Sequence, residues 1–233
     1  VAGGVGAPIL LLLGLNRTPA STASLLLNFE SVATALVAVI AFKEAVDRRI
    51  LWAVGLITIA SILLSWTGGA WGLSLGALGI LGACFLWGFD NNFTRHISAK
   101  NPLVIVGVKG IGAGSFSLLL ALGLGKGMPS AGMAALGLVV GAVSYGLSIQ
   151  LFILALRNLG AARTGILFGI APFVGAILSL LLLPEKPQAM FWISLPFMLL
   201  GAWLMLTESH QHEHTHDPLE HAHAHSHSDD HHT

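Results

Sequence analysis

The sequence predicts an all-α integral membrane protein with eight membrane-spanning helices. Hydrophobic residues make up 55% of the 233 residues, charged residues make up only 9%, and the mean hydropathy is +0.80. Soluble domains carry about 25% charged residues, so the surface of this chain is expected to face lipid. Eight apolar runs separated by short polar breaks set the number of helices.

Each run but the first approaches the length of about 20 residues that a helix needs to cross a bilayer core. The first is shorter, so we expect the chain to enter partway through a helix and to lack its N-terminus. A polar loop is predicted at Arg157–Arg163, and a tight break follows at Pro184–Pro187. The runs occupy residues 2–15, 20–42, 50–66, 71–89, 103–124, 131–156, 164–183 and 189–206.

One stretch of the chain occurs twice. Residues 14–44 align without a gap with residues 155–185 after a shift of 141, and five of the 31 positions are identical. Both stretches contain a turn, small residues, an apolar run and a terminal glutamate, Glu44 or Glu185. An odd number of predicted crossings separates them, so they are expected to run in opposite directions. Such an inverted repeat places a pseudo-symmetric pair of helices around a site at the bilayer midplane.

The basic residues predict the orientation, because they concentrate in cytoplasmic connections. One side of the predicted bundle holds seven of them and the other side holds three. The C-terminus leaves on the richer side, so it is expected to be cytoplasmic in a plasma (inner) membrane protein. The seven are Lys43, Arg48, Arg49, Arg95, Lys100, Arg157 and Arg163, and the three are Arg17, Lys126 and Lys186.

A small set of polar residues lies within the predicted spans. Glu30 lies about 20 Å from Lys43 along the helix, near the bilayer midplane. A charge at that depth is costly and usually faces a cavity or a partner, so we expect Glu30 to exchange a proton. The alternative is a protonated carboxyl that is hydrogen-bonded between helices. The predicted substrate- and proton-binding residues are Asn28, Glu30, Asp90, Asn91, Asn92, Lys109, Tyr145 and Gln150.

The other members of this set also have two interpretations. Asp90 and Lys109 are expected to pair, as a structural contact, a gate, or both. Asn91, Asn92 and Gln150 either bind substrate or cap helix ends. Tyr145 either offers its hydroxyl to the binding site or packs in the hydrophobic core.

The pattern of residues 22–44, WGFDNNFTRHISAKNP at 87–102 and ALRNLGAARTGILFGIAPFVGAILSLLLLPE at 155–185 resembles the drug/metabolite transporter superfamily, EamA type. That resemblance implies ten helices in two inverted five-helix repeats, of which two N-terminal helices are absent here. Residues 1–66 then hold the last three helices of the first repeat, and residues 71–206 hold the second repeat. It also implies export or exchange of small metabolites across the bilayer. The protein is expected to act as a monomer or a homodimer. The two halves differ at one position of the repeated helix. The second half has the proline of the family's pattern, Pro172, and the equivalent residue of the first half is Ser31.

The tail at 207–233 differs in composition from the rest of the chain. It contains ten of the 11 histidines, interleaved with carboxylates. This composition is expected to be disordered and to bind Zn²⁺, Ni²⁺ or Cu²⁺ weakly at several sites. The alternative is a solvated, pH-sensitive tail that binds no metal. The predicted metal ligands are His210, His212, His214, His216, His221, His223, His225 and His227.

Three functions are compared: a proton-linked transporter of a small organic molecule, a metal-cation transporter with a metal-collecting tail, and a membrane-embedded enzyme. The first is favoured, with no cofactor required. A metal path needs several clustered ligands in the spans, and an enzyme needs a catalytic motif; the sequence shows neither. No basic face supports nucleic-acid binding. Cys84, the single cysteine, is expected to be a packing residue.

We predict that residues 207–233 bind divalent transition metals as an isolated peptide, because neutral imidazoles lie beside carboxylates. Calorimetry with Zn²⁺ and Ni²⁺ should record heat of binding, and its absence at millimolar metal would contradict the prediction. Deleting the tail should leave transport of an organic substrate largely intact, whereas a metal-cation transporter would lose activity.

Overall fold

The computed structural model describes residues 2–43, 47–66, 74–96 and 102–206, and these residues form helices and no β-strand. The predicted all-helical class is therefore confirmed for this part of the chain. Two of the helical segments are short π-helical turns, at Ala2–Gly6 and Ala142–Leu147. The others are α1 Ala7–Leu15, α2 Ala20–Leu26, α3 Phe29–Phe42, α4 Arg48–Ser65, α5 Leu75–His96, α6 Pro102–Gly123, α7 Ala131–Gly141, α8 Ser148–Leu182 and α9 Ala189–Leu206.

Five segments of the described chain are long and apolar enough to cross a membrane. They are Ala20–Phe42, Arg48–Ser65, Val106–Gly123, Ala131–Leu151 and Ala189–Leu206. Shorter apolar helices lie at Gly3–Leu15 and Gly169–Leu182, and α5 has the length of a span but ends in a polar run. The membrane-protein class is thus confirmed, and the number of eight spans stays a prediction.

The predicted span Ala20–Phe42 is divided into α2 and α3. At the division, backbone N–H groups donate to carbonyls three residues earlier, Asn28 to Leu25 at 3.1 Å and Glu30 to Leu27 at 3.0 Å. The Asn28 side chain adds a bond to the Leu25 carbonyl, also 3.1 Å long. This tight turn inside an otherwise α-helical span is the kind of feature that often marks a hinge, and it lies directly before Glu30.

The predicted loop Arg157–Arg163 is wrong, because α8 is helical through it, from Ser148 to Leu182. The stretch contains leucine, arginine and alanine, which favour helix, and no proline. The helix continues to Pro172, which lies inside it. At 1.5 Å per residue α8 is about 52 Å long, which exceeds the hydrocarbon core of about 30 Å.

The strongest packing joins helices from the two predicted halves of the chain. Helix α4 of the first half packs against α9 of the second half. In the same way, α2 packs against α8, and both α1 and α3 pack against α5. The largest side chains that are fully buried come from both halves; they are Leu25, Leu26, Ile57, Ile80 and Met198. One core is therefore shared between the halves.

The contact between α3 and α5 is close because Gly88 has no side chain. A Cβ at Gly88 would lie 2.8 Å from the backbone carbon of Ala33. Aromatic pairs flank this point, Phe29 with Phe85 at a centroid distance of 5.4 Å, and Phe42 with Phe93 at 5.9 Å. The order of these contacts shows that α3 and α5 run parallel.

We predict that Gly88→Ala lowers the stability of the protein by about 1–3 kcal/mol, because the new methyl meets backbone that cannot move aside easily. Gly110→Ala is the matched control, since a Cβ there meets nothing within 4 Å and alanine favours helix. Thermal unfolding of purified protein in detergent measures both. Equal melting temperatures for the two variants would contradict the close contact.

Candidate functional site

The centre of the candidate site is the Glu30 carboxylate, near the N-terminal end of α3. Asn91 on α5 donates a hydrogen bond of 2.8 Å from its Nδ2 to Glu30 Oε1. The same Nδ2 lies 3.4 Å from the Thr34 hydroxyl oxygen. Glu30 is half-buried and Asn91 is exposed. The carboxylate therefore has one polar partner from another helix and stays accessible.

Asn92, the neighbour of Asn91, fixes α5 against α3. It is 3% exposed, and its Nδ2 donates to two backbone carbonyls, Thr34 at 3.0 Å and Gly88 at 2.8 Å. Because one amide is bonded to both helices, it holds them in register. The Asn92 side chain thus connects the two helices beside Asn91, and its role as a substrate-binding residue stays a prediction.

Asp90 and Lys109 form the ion pair that the sequence predicted, with 2.5 Å between Nζ and Oδ2. The pair links α5 to α6, and its side chains are 26% and 40% exposed. The Asp90 side chain packs on Gly3, where a Cβ would lie 2.5 Å from Cγ. Trp87 also reaches this segment, donating from Nε1 to the Gly3 carbonyl at 3.0 Å. The pair is thus part of a packed junction of three segments.

The remaining predicted residues are dispersed. Asn28 is 6% exposed, and its side chain donates to the Leu25 carbonyl in the last turn of α2. Tyr145 lies in the second π-helical turn and is 54% exposed. Gln150 is half-buried on α8. Glu30, Asn91 and Asn92 therefore form one cluster, and Asp90 and Lys109 form a second contact. The roles of Asn28, Tyr145 and Gln150 stay predictions.

Thr34 belongs to the site and was missed by the sequence analysis. Its hydroxyl and its carbonyl face Asn91 and Asn92 on α5. The signal was present in the spacing, since Thr34 lies four residues after Glu30 and so on the same helix face. A threonine on an apolar helix is common, however, and only the position of α5 gives it a polar partner.

Metal-binding residues do not cluster in the part of the chain that the structure describes. No group of three or more His, Cys, Asp or Glu side chains there could hold a metal ion. The predicted histidine ligands at 210–227 and Glu44 lie outside the described residues. Cys84 is buried, with its Sγ 3.8 Å from the Leu26 carbonyl oxygen.

These apolar helices, with a few polar residues between them, define an integral membrane protein. Residues 74–207 match the EamA-like transporter family. An uncharacterized transporter of Methanothermobacter thermautotrophicus is 32% identical over 209 residues, which cover 85% of this chain and 60% of that protein. The chain therefore spans about three fifths of the length of this relative. No solved structure matches the chain.

Because the family match covers more than half of the residues, the chain belongs to the EamA-like transporter family of the drug/metabolite transporter superfamily. The resemblance found in the sequence is confirmed. Neither comparison names a substrate or a site residue, so the roles of Glu30, Asn91 and the other candidates stay predictions.

We predict that Asp90→Asn lowers stability by about 1 kcal/mol, because the Lys109 ammonium loses its carboxylate partner. Lys109→Met in the Asp90→Asn background should recover part of this loss, since it removes the remaining charge. Thermal unfolding of the two single variants and the double variant measures the coupling. Strictly additive losses would show that the pair contributes nothing to the fold.

Proposed function

We propose that the protein is a secondary transporter that moves a small organic molecule across the membrane, with proton movement linked through Glu30. The observation that carries the proposal is the hydrogen bond from Asn91 to Glu30, which joins α5 to α3. Charged residues make up only 9% of the chain, and Glu30 lies near the middle of the apolar span Ala20–Phe42. Export or exchange of the substrate follows from the family resemblance.

We propose an inverted-repeat architecture drawn from a ten-helix plan, with the C-terminus in the cytoplasm, in which α8 joins the predicted sixth and seventh spans without the loop at Arg157–Arg163. The contact between α2 and α8 supports it, because these helices belong to the two repeated stretches. Ala20 at the start of α2 lies beside Glu185 after the end of α8, and Ser24 lies beside Gly175. The two helices are therefore antiparallel, as an inverted pair requires.

The Glu30 carboxylate couples proton and substrate through its charge. A carboxylate at the bilayer centre costs about 2.5–3.5 kcal/mol relative to an interfacial position, and the hydrogen bond donated by Asn91 offsets part of that cost. Protonation removes the charge, and Glu30 then contacts Asn91 as a neutral group. The two charge states favour different surroundings for α3, so proton exchange shifts the helix between two positions.

The turn between α2 and α3 lets these positions interchange. The turn lies at Leu27–Asn28, and its hydrogen bonds, including the one donated by the Glu30 N–H, run to the third residue back instead of the fourth. Movement at such a turn exchanges a few local hydrogen bonds and leaves the flanking helices intact. Glu30 thus lies where a small rotation changes its exposure most.

The metal-cation alternative has less support, because the described residues hold no cluster of ligands in the spans. We propose that the histidine-rich tail binds Zn²⁺, Ni²⁺ or Cu²⁺ without taking part in the transport step. Transport across the bilayer is assigned to the helices, and metal binding to residues 207–233.

We predict that Glu30→Gln abolishes transport driven by a pH gradient, because glutamine keeps the shape of glutamate and cannot titrate. The measurement is uptake into liposomes that contain the full-length protein, first with a panel of metabolites to find a substrate and then with and without a pH gradient. Exchange of substrate at equal pH on both sides should persist, since it requires no net proton movement.

Asp47→Asn is the matched control. Asp47 caps α4 outside the apolar span, where its Oδ1 accepts the backbone N–H of Arg48 at 2.6 Å. Asparagine is an equally good cap, so this variant should transport as the unmodified protein does. Gradient-driven transport that survives Glu30→Gln would make Glu30 a structural hydrogen-bonding residue and would refute the mechanism.

A further inference from the structure

Glu185 joins the two repeated stretches at one end of the bundle. It lies in the connection between α8 and α9, and its two carboxylate oxygens accept backbone N–H groups from the start of α2. The distance is 2.5 Å from Ala20 N to Oε1 and 3.0 Å from Ser21 N to Oε2. These partners are separated by more than 160 residues in sequence.

The start of α2 has no cap of its own. Helices begin with N–H groups that have no partner within the helix, and a preceding Ser, Thr, Asp or Asn usually accepts one. Here the preceding residue is Pro19, with φ −53° and ψ 141°, and its side chain makes no capping hydrogen bond. The sequence therefore leaves the cap of α2 to a residue from the other half of the chain.

A second contact between α2 and α8 lies one turn further along α2. The Ser24 hydroxyl donates to the Pro172 carbonyl at 2.8 Å. A Cβ at Gly175 would collide with the Ser24 hydroxyl oxygen, so α2 and α8 come into contact here because Gly175 has no side chain. Together, Ala20, Ser21, Ser24, Pro172 and Glu185 form what we call the α2–α8 clasp.

We propose that the α2–α8 clasp is a releasable gate, in which Glu185 holds α2 against α8 to close this end of the bundle and lets go when α2 swings about the turn at Leu27–Asn28. The proposal rests on the proposed transport function for the purpose of this motion. The clasp suits such a role because it is polar and local. Its hydrogen bonds can be exchanged for bonds to water at the membrane surface, whereas the apolar core would have no equivalent exchange.

The charge of Glu185 supports a clasp that is closed at neutral pH. Partial desolvation acts to raise the pKa of this carboxyl, but the hydrogen-bond donors of Ser21 and Ala20 outweigh it and lower the pKa below its usual value. The carboxylate is therefore ionised at neutral pH and accepts both N–H groups. The positive end of the α2 helix favours the same form.

Thiol labelling at two depths tests the proposal in full-length protein without a transport assay. The reporter is Ala23→Cys, because Ala23 is 1% exposed and lies one turn after Ala20 on the same side of α2. Cys84 is the internal reference, since it is fully buried beside Leu26 near the turn. In proteins that keep only these two cysteines, mass spectrometry after treatment with N-ethylmaleimide gives both labelling rates.

Four variants separate a gate from a simple helix cap. Glu185→Ala removes the clasp, and Glu185→Gln weakens it while keeping the shape of the side chain. Pro19→Ser gives α2 a cap of its own, at a position whose extended backbone suits a serine cap. Lys186→Ala is the matched control, because Lys186 is the exposed neighbour of Glu185.

We expect Glu185→Ala to raise labelling at position 23 by about tenfold, the effect of losing a charge-assisted hydrogen bond, while Cys84 stays protected. Adding Pro19→Ser should restore the melting temperature but leave position 23 accessible. Restored protection at position 23 would make Glu185 only a cap and would overturn the proposal. Equal labelling of both cysteines, or no change in Glu185→Ala and Glu185→Gln, would overturn it too. None of these outcomes depends on Glu30, so the proposed function and the clasp can fail separately.

Discussion

The backbone contact between α3 and α5 at Gly88 is the constraint on which the polar contacts between these two helices depend. Because Gly88 has no side chain, the next turn of α5 lies close enough for Asn91 to reach Glu30 and for Asn92 to reach the Thr34 carbonyl. A side chain at position 88 would separate the helices and lengthen these hydrogen bonds together. Packing and candidate site are therefore one feature of the fold.

Hydrogen bonds divide the polar residues of the bundle into two groups. The hydroxyls of Ser61, Ser65 and Ser194 are fully buried and donate to carbonyls three or four residues earlier in their own helices. Such bonds let a polar residue sit in an apolar helix without a partner elsewhere. The Glu30 and Ser24 side chains instead contact other helices, so their bonds must break when those helices separate. Residues of this second group respond to helix movement.

The sequence was sufficient for the class of the protein because the length and hydropathy of apolar runs are local properties. Depth and charge also singled out Glu30. The break before it could not be predicted, because residues 25–30 contain neither glycine nor proline and the turn depends on the Asn28 side chain. The loop at 157–163 was predicted from its charges, whereas helix propensity keeps it helical. The partners Thr34 and Glu185 required knowledge of which helices meet, and that depends on packing between distant segments.

The pairing of α4 with α9 has a consequence for biosynthesis. Gly201 of α9 lies against Ala53 and Ile57 of α4, and the Arg49 guanidinium lies 5.3 Å from the centre of the Trp203 ring. The ribosome completes α4 long before α9, so lipid must cover this face of α4 while the intervening segments are inserted. Assembly of this interface thus waits for α9. A chain that stops before residue 189 would display the uncovered face to the quality-control proteases of the membrane.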